Sequence, residues 1–359
     1  LENKPVTPTN YLTKACLSAA LLLGLVMGEL ESALALTAAQ FNHGLGTGIN
    51  LGNALDAPRE GEWGVTLEAN YFRQIHQAGF THVRLPVRWS SHAGQPAPYK
   101  LDPVFTERVR WAVHEALKNN LKVVLNMHHY EEFESDPDAH RERLLAMWQQ
   151  ISEEFKNEPR DQVAFEIYNE PAKKISAVFW NDLFAEALAV VRKKNPKRIV
   201  VVGPVQWNSI SALDTLKLPS DKNLLVSVHY YEPFHFTHQG AEWVGEESKN
   251  WLGTTWSASA EQIAALKSDF DKAQKWAQTH ERLIYLGEFG AYSKGDMDSR
   301  ARWTESVRKA AIDRGFSLAY WEFCSGFGAY DPASRSWRKP LLNALHAHFM
   351  LDHAKRPGN

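Results

Sequence analysis

Apolar and polar positions along this chain follow two alternating rhythms. From Leu36 onward, short apolar runs rich in Val, Ile and Leu recur between longer stretches whose apolar residues return at helical spacing. The first pattern is that of buried strands and the second that of amphipathic helices, and their regular alternation predicts βα units carrying a parallel sheet. Strands are expected at Gly46 to Leu51, Phe80 to Leu85, Leu121 to Met127, Val163 to Tyr168, Arg198 to Val202, Leu224 to Val228, Leu283 to Leu286 and Phe316 to Trp321. Helices are expected at Thr66 to Ala78, Pro103 to Asn119, Ala139 to Phe155, Ile175 to Lys194, Ser209 to Leu213, Ala258 to Gln278, Ser299 to Arg314 and Pro340 to Phe349. Eight such units close into one barrel, so the fold class is α/β, a single (β/α)8 TIM barrel spanning residues 37–359. No linker, repeat or low-complexity segment marks a second domain. The longest connection, Tyr231 to Ser257, follows strand six and carries Trp243, Trp251 and Trp256, as the wall of a substrate site would.

In such a barrel the C-terminal ends of the strands form the active face. Two glutamates fall there: Glu170 in Ile167-Tyr168-Asn169-Glu170-Pro171, and Glu288 in Leu286-Gly287-Glu288-Phe289-Gly290. Either alone reads equally well as a salt-bridged loop residue, but the pair is a candidate for two-carboxylate chemistry. The remaining strand ends supply Asn50, Asn53, Arg84, His128, His129, Asn169, Gln206, Trp207, His229, Tyr231 and Trp321. Each is more often a satisfied edge residue than a catalytic one, yet so many polar groups on one rim would be costly to bury without a task.

Strands about 4.8 Å apart and tilted about 36° make a ring roughly 7 to 8 Å in radius, placing strands four and seven about 13 to 14 Å apart. Carboxyls that each reach about 4 Å inward are then separated by about 5 to 6 Å, near the spacing of a retaining glycosidase pair. Arg84 is suited to hold Glu288 ionised as nucleophile, while a more enclosed Glu170 stays protonated as the acid. Tyr231 would donate to the nucleophile, Asn169 would bind a sugar hydroxyl, and Trp321 would floor a sugar ring.

Composition narrows the partners. The 359 residues carry a formal net charge of -2 with no long block of one sign, which argues against nucleic acid or an anionic membrane as ligand. The 13 tryptophans suit grooves that bind flat, partly apolar ligands, although most should serve packing. Of the two cysteines, Cys16 lies in the N-terminal region and Cys324 stands apart, so no internal disulfide is expected. Lys14, the apolar run Ala15 to Met27 and the small-residue site Ala33-Leu34-Ala35 read as a secretory leader within residues 1–36, with a disordered extension as the alternative. That reading makes the mature protein secreted or periplasmic and free of the membrane.

The strings GINLGNALDAP, HVRLPVRWS, LNMHHYE, EIYNEP, VSVHYYEP, YLGEFG and AYWEF, in this order from about Gly44 to Phe323, resemble glycoside hydrolase family 5, the cellulase family. Within it they resemble the endoglucanase branch that often also cleaves mannans. The resemblance implies Glu170 as acid/base and Glu288 as nucleophile, supported by Arg84, His128, Asn169, His229, Tyr231 and Trp321. It further implies Asn53, His129 and Trp207 as substrate contacts, with His238 and Trp243 in the strand-six loop, and Asp56 where relatives carry a longer acidic side chain. It implies no metal and no organic cofactor. The expected activity is a secreted, retaining endo-β-1,4-glucanase acting on cellulose or β-glucan, with mannan, mixed-linkage glucan or xyloglucan as alternative substrates. Two remoter readings are a metal-dependent barrel hydrolase, prompted by His128, His129 and His229, and a non-catalytic carbohydrate-binding protein.

Overall fold

The computed structural model describes residues 37–346, and the expected leader and the end of the helix expected to run to Phe349 lie outside them. Eight parallel strands close into a barrel in sequence order. They are β1 (Thr47–Asn50), β2 (His82–Leu85), β3 (Lys122–Asn126), β4 (Val163–Glu166), β5 (Val200–Val202), β6 (Leu224–Tyr230), β7 (Ile284–Phe289) and β8 (Ser317–Tyr320). β1 pairs with both β2 and β8, which seals the ring and leaves no edge. Every predicted strand is present. β6 and β7 run further than expected, because Gly287 reads as a stop in sequence while the strand continues through Glu288 to Phe289.

Helices cover the outside as the periodicity predicts, and local chemistry sets their ends. Asp102 caps Pro103–Lys118 by accepting from Val104 N at 2.8 Å, with proline at the first turn, where its missing N–H costs nothing. Ser176 caps Ala177–Arg192, and Ser259 with Gln262 forms a capping box on Ala260–Thr279. The expected helix at Ser209 to Leu213 is instead a 3-10 turn, Ile210–Thr215. Features not anticipated include the helix Ala38–Leu45 ahead of β1, the short helices Glu131–Ser135 and Phe234–Thr237 in loops, and a small antiparallel ribbon pairing Tyr330–Asp331 with Ser336–Trp337. Among the described residues no helix is long and apolar enough to cross a membrane.

Alternation along each strand sends one set of side chains outward to the helices and the other into the barrel. The lower interior is closed by His82, whose ring takes the space beside Gly48 and bridges Leu45 O at 2.7 Å to the Tyr285 hydroxyl at 3.0 Å. Tyr285 therefore points inward, and strict alternation would put Gly287 inward and Glu288 outward. A bulge changes this. The β6–β7 register steps from Val228↔Leu286 to His229↔Glu288, so Gly287 is an extra residue and Glu288 also turns into the barrel.

Glycine is required at this bulge by space. A Cβ on residue 287 would lie 2.5 Å from Ser227 Oγ and 3.0 Å from His229 Nε2. Gly287→Ala is therefore expected to destabilise the fold by about 1–3 kcal/mol through overpacking. Urea unfolding measures this, and an unchanged midpoint would show that the interior has room to spare.

Candidate active site

Arg84, on β2 and fully buried, organises the upper barrel. Its Nε and Nη2 donate to both oxygens of Glu166 at 2.7 and 2.9 Å. Nη1 donates to Asn50 Oδ1 at 2.9 Å and to Glu288 Oε1 at 2.6 Å, and Nη2 also reaches Asn169 Oδ1 at 2.7 Å. Every N–H of the guanidinium is thereby used. These bonds also orient the partners. Asn50 keeps its amide NH2 on backbone oxygens of Gly287, Ala319 and Tyr320, while Asn169, accepting from Arg84 through Oδ1, turns its NH2 to the Glu170 side.

The two predicted glutamates converge. One carboxylate oxygen of each, together with a His229 nitrogen, lies within 4.8 Å of the others. That closeness fits a retaining pair rather than the wider inverting arrangement. Glu288 is held from both sides, by Arg84 at Oε1 and by the Tyr231 hydroxyl at 2.8 Å on Oε2. Burial pushes its carboxyl up, and the neighbouring His229, the charge of Arg84 and the Tyr231 hydrogen bond pull against that rise. Desolvation is the largest of these influences, and the ion pair with Arg84 and the hydrogen bond from Tyr231, both expected from the sequence, oppose it.

Glu170 sits just beyond β4 in the left-handed region, with φ 48°, a conformation L side chains adopt only under constraint. Its side chain keeps 24% of its surface open, and His229 Nδ1 lies 2.6 Å from its Oε1. Burial pushes its carboxyl up to about 8, against the opposing charge of Arg84 and with the help of Glu134 and Glu166. At neutral pH this group holds its proton while remaining reachable. His229 itself is lowered to about 4, chiefly by burial, and is neutral.

A second cluster forms beside this centre. His128 and Trp321 stack with centroids 5.4 Å apart and planes 4° from parallel, and His129 meets His128 edge-on at 4.5 Å. Gly52 makes room for the indole, since a Cβ there would come within 2.8 Å of Trp321. Asp56 is buried and accepts from the backbone N–H of Asn53 at 3.0 Å and Ala54 at 2.8 Å. Burial pushes its carboxyl up to about 6. Asn53, with φ 64°, contributes its backbone to this turn, a conformation asparagine tolerates better than most residues.

The strand-six loop supplies the far wall. His238 is buried, meets Tyr231 edge-on at 4.9 Å and stacks on Phe234 at 4.1 Å, and Trp243 stands outside it at 6.2 Å with 61% of its surface exposed. Trp207, after β5, is 56% exposed. Of the three loop tryptophans expected as a wall, Trp256 is corrected to the core. It is buried near Phe236, and its backbone carbonyl accepts from Arg302, as an inward loop anchor would.

Two triads bring possible metal-ligand atoms within 4.8 Å of one another, Asp56 with His128 and His129, and Glu170 with His229 and Glu288. Neither donor set suits a cation. Asn126 takes the Val87 N–H through Oδ1 at 3.2 Å and so turns its NH2 toward His128 Nδ1 at 3.1 Å. His128 then carries its proton on Nε2 and has no spare lone pair. His229 is likewise engaged at both nitrogens, by Glu170 and by Asn208.

Residues 45–326 match the family described as Cellulase (glycosyl hydrolase family 5). The chain belongs to glycosyl hydrolase family 5. It is 34% identical to endoglucanase H of Acetivibrio thermocellus over 84% of this chain and 33% of that protein, so it spans about a third of that relative's length. Thermotoga maritima Cel5A in complex with mannotriose superimposes with a TM-score of 0.84 at 48% identity, covering 86% of this chain and 99% of that one. The same protein in complex with cellobiose gives 0.84 at 47% identity over the same shares.

Four members of this family 5 site escaped the sequence reading: Asn126, Glu166, Asn208 and Trp63. Glu166 gave a signal, a glutamate inside the otherwise apolar run VAFEIY. Trp63, 38% exposed and edge-on to His129 at 5.5 Å, sits in a loop that no periodicity describes. Removing one partner of a buried ion pair leaves the other charge uncompensated, so Glu166→Ala is expected to cost about 3–5 kcal/mol. Equilibrium urea unfolding reads the loss, and a change below about 1 kcal/mol would place the pair among inert contacts.

Proposed function

We propose that this chain is an endo-β-1,4-glucanase that hydrolyses internal bonds of β-linked glucan by a retaining double displacement. The observation that carries the reading is the convergence of two carboxyls in unlike settings, Glu170 raised to about 8 and partly open, Glu288 clasped by Arg84 and Tyr231. Glu288 attacks the anomeric carbon while Glu170 gives its proton to the departing glycosidic oxygen, forming a glycosyl ester on Glu288. Glu170, now ionised, takes a proton from water, which attacks the same carbon and frees Glu288. The NH2 of Asn169, turned to the Glu170 side, is placed to donate to a sugar hydroxyl beside the reacting carbon, and the indole of Trp321 offers an aromatic floor.

A dual glucan and mannan specificity is the second reading, supported by the cellobiose and mannotriose complexes of the related Cel5A. Glucose and mannose differ in the orientation of one hydroxyl, a difference that a few polar contacts decide. We also propose that the protein acts outside the cell. A polymeric substrate does not enter one, and the Ala15 to Met27 run with Ala33-Leu34-Ala35 supports export.

Reducing-sugar release from soluble β-1,4-glucan and β-1,4-mannan tests the activity, and Glu288→Gln is expected to reduce both to background. Proton NMR of the first products should show the β-anomer, and an α-anomer would overturn the retaining mechanism. The acid must be protonated to act, so kcat/KM on unactivated glycan is expected to fall as pH rises through about 8. A profile flat across that range would remove Glu170 from the acid role.

A further inference from the structure

Beyond β5 the backbone does something that L-residues resist. Gln206, Trp207 and Asn208 occupy the left-handed region in succession, with φ of 60°, 57° and 56°. Each such residue costs about 1–2 kcal/mol, so a run of them stands only where packing holds it. Asn208 is what packs. It is fully buried against Gly203, where a Cβ would come within 2.0 Å of its Oδ1. Its Nδ2 lies 3.2 Å from His229 Nε2, and Ser209 continues the contact by bridging to His229 in parallel register. The strained turn thus presents an amide to one side of the imidazole whose other side, Nδ1, is 2.6 Å from Glu170 Oε1.

The amide has a preferred sense. Its Oδ1 has no hydrogen-bond partner among the described residues and rests against Gly203, where a Cα–H can face it. The reverse sense would bury two N–H groups there, the costlier arrangement. A neutral imidazole has one N–H, so with Nε2 accepting from Asn208 the proton must sit on Nδ1, facing Glu170.

We propose that Asn208 is a positioning residue for the acid step: by holding His229 as its Nδ1–H tautomer, it makes Glu170 Oε1 an acceptor and keeps the transferable proton on Oε2. In the other tautomer Nδ1 would be an acceptor and would draw the carboxyl proton into an O–H···N bond directed into the barrel. His229 Nδ1 also lies 3.6 Å from Glu288 Oε2, and the charged groups around the pair are Arg84, Glu166 and Glu288 at His229, with Glu134 near Glu170. The inference rests on the reading of Glu170 as acid/base, and the test separates the two.

An aryl cellobioside with a 2,4-dinitrophenyl leaving group departs without protonation, whereas soluble β-1,4-glucan needs the acid. Acid catalysis contributes about 10²–10⁴-fold, so Asn208→Leu should lose about 10- to 100-fold in kcat/KM on glucan and less than about twofold on the aryl substrate. Glu170→Ala should show the same dependence on leaving group, more strongly. Equal losses on both substrates for Asn208→Leu, with Glu170→Ala still discriminating, would overturn the role of Asn208 alone. No discrimination in Glu170→Ala would overturn the assignment of Glu170 itself. Nitrogen-15 spectra of the unmodified protein give a readout that requires no variant to fold: His229 should show a protonated Nδ1 and an unprotonated Nε2, and the reverse would refute the proposal.

Discussion

A guanidinium buried at the centre of a barrel has to be answered from every side, and Arg84 imposes that demand on the structure around it. Removing such a cation from water costs several kcal/mol, which only close charge and complete hydrogen bonding offset. The answer comes from β1 through Asn50, from β4 through Glu166, from the turn after β4 through Asn169 and from β7 through Glu288. A bidentate pair with Glu166 fixes the plane of the fork, and that plane decides where the remaining donors point. Glu288 is held in place, and Asn169 is turned so that its NH2 faces away from the arginine. The geometry of the site is in this sense a by-product of neutralising one charge.

Backbone irregularity is spent in the same region. The bulge at Gly287 admits Glu288 to the interior, Glu170 carries a positive φ, and the left-handed run Gln206 to Asn208 brings an amide to His229. Positive φ also occurs in peripheral turns such as Tyr99 and Arg335, so strain is not confined to the site. What sets the site apart is that its irregular residues hold hydrogen-bonding side chains in fixed positions. Regular strands alone could not do so, because strict alternation would direct Glu288 away from Arg84.

Aromatic residues divide along the same line. Trp89, Trp148, Trp180 and Trp303 are fully buried and pack the layer between strands and helices, and all four spend their indole N–H on backbone carbonyls of the barrel strands or the turns that follow them. Trp63, Trp207 and Trp243 stay exposed on loops, and Trp321 lies flat against His128. Composition showed an excess of tryptophan but could not sort these groups, since an indole in a loop serves either purpose. Trp256 is the case in point, taken for a wall and found in the core.

Short apolar runs and helical spacing were enough to place all eight strands and most helices, because burial on a barrel strand is a one-dimensional pattern that the chain carries locally. The same pattern put Glu170, Glu288, Arg84, His128, His229 and Trp321 on one rim, since each ends an apolar run. Which of them meet was decided only by closure of the ring. Arg84 and Glu166 are 82 positions apart and joined across β3, so nothing local in VAFEIY announces the pair. The left-handed turn at Asn208 and the bulge at Gly287 are legible only when their neighbours are in place, because the contacts that offset their conformational cost come from other strands. Sequence determined which groups reach the active face, and tertiary structure decided their partners, their protonation and their direction, because those depend on distances that only the closed barrel creates.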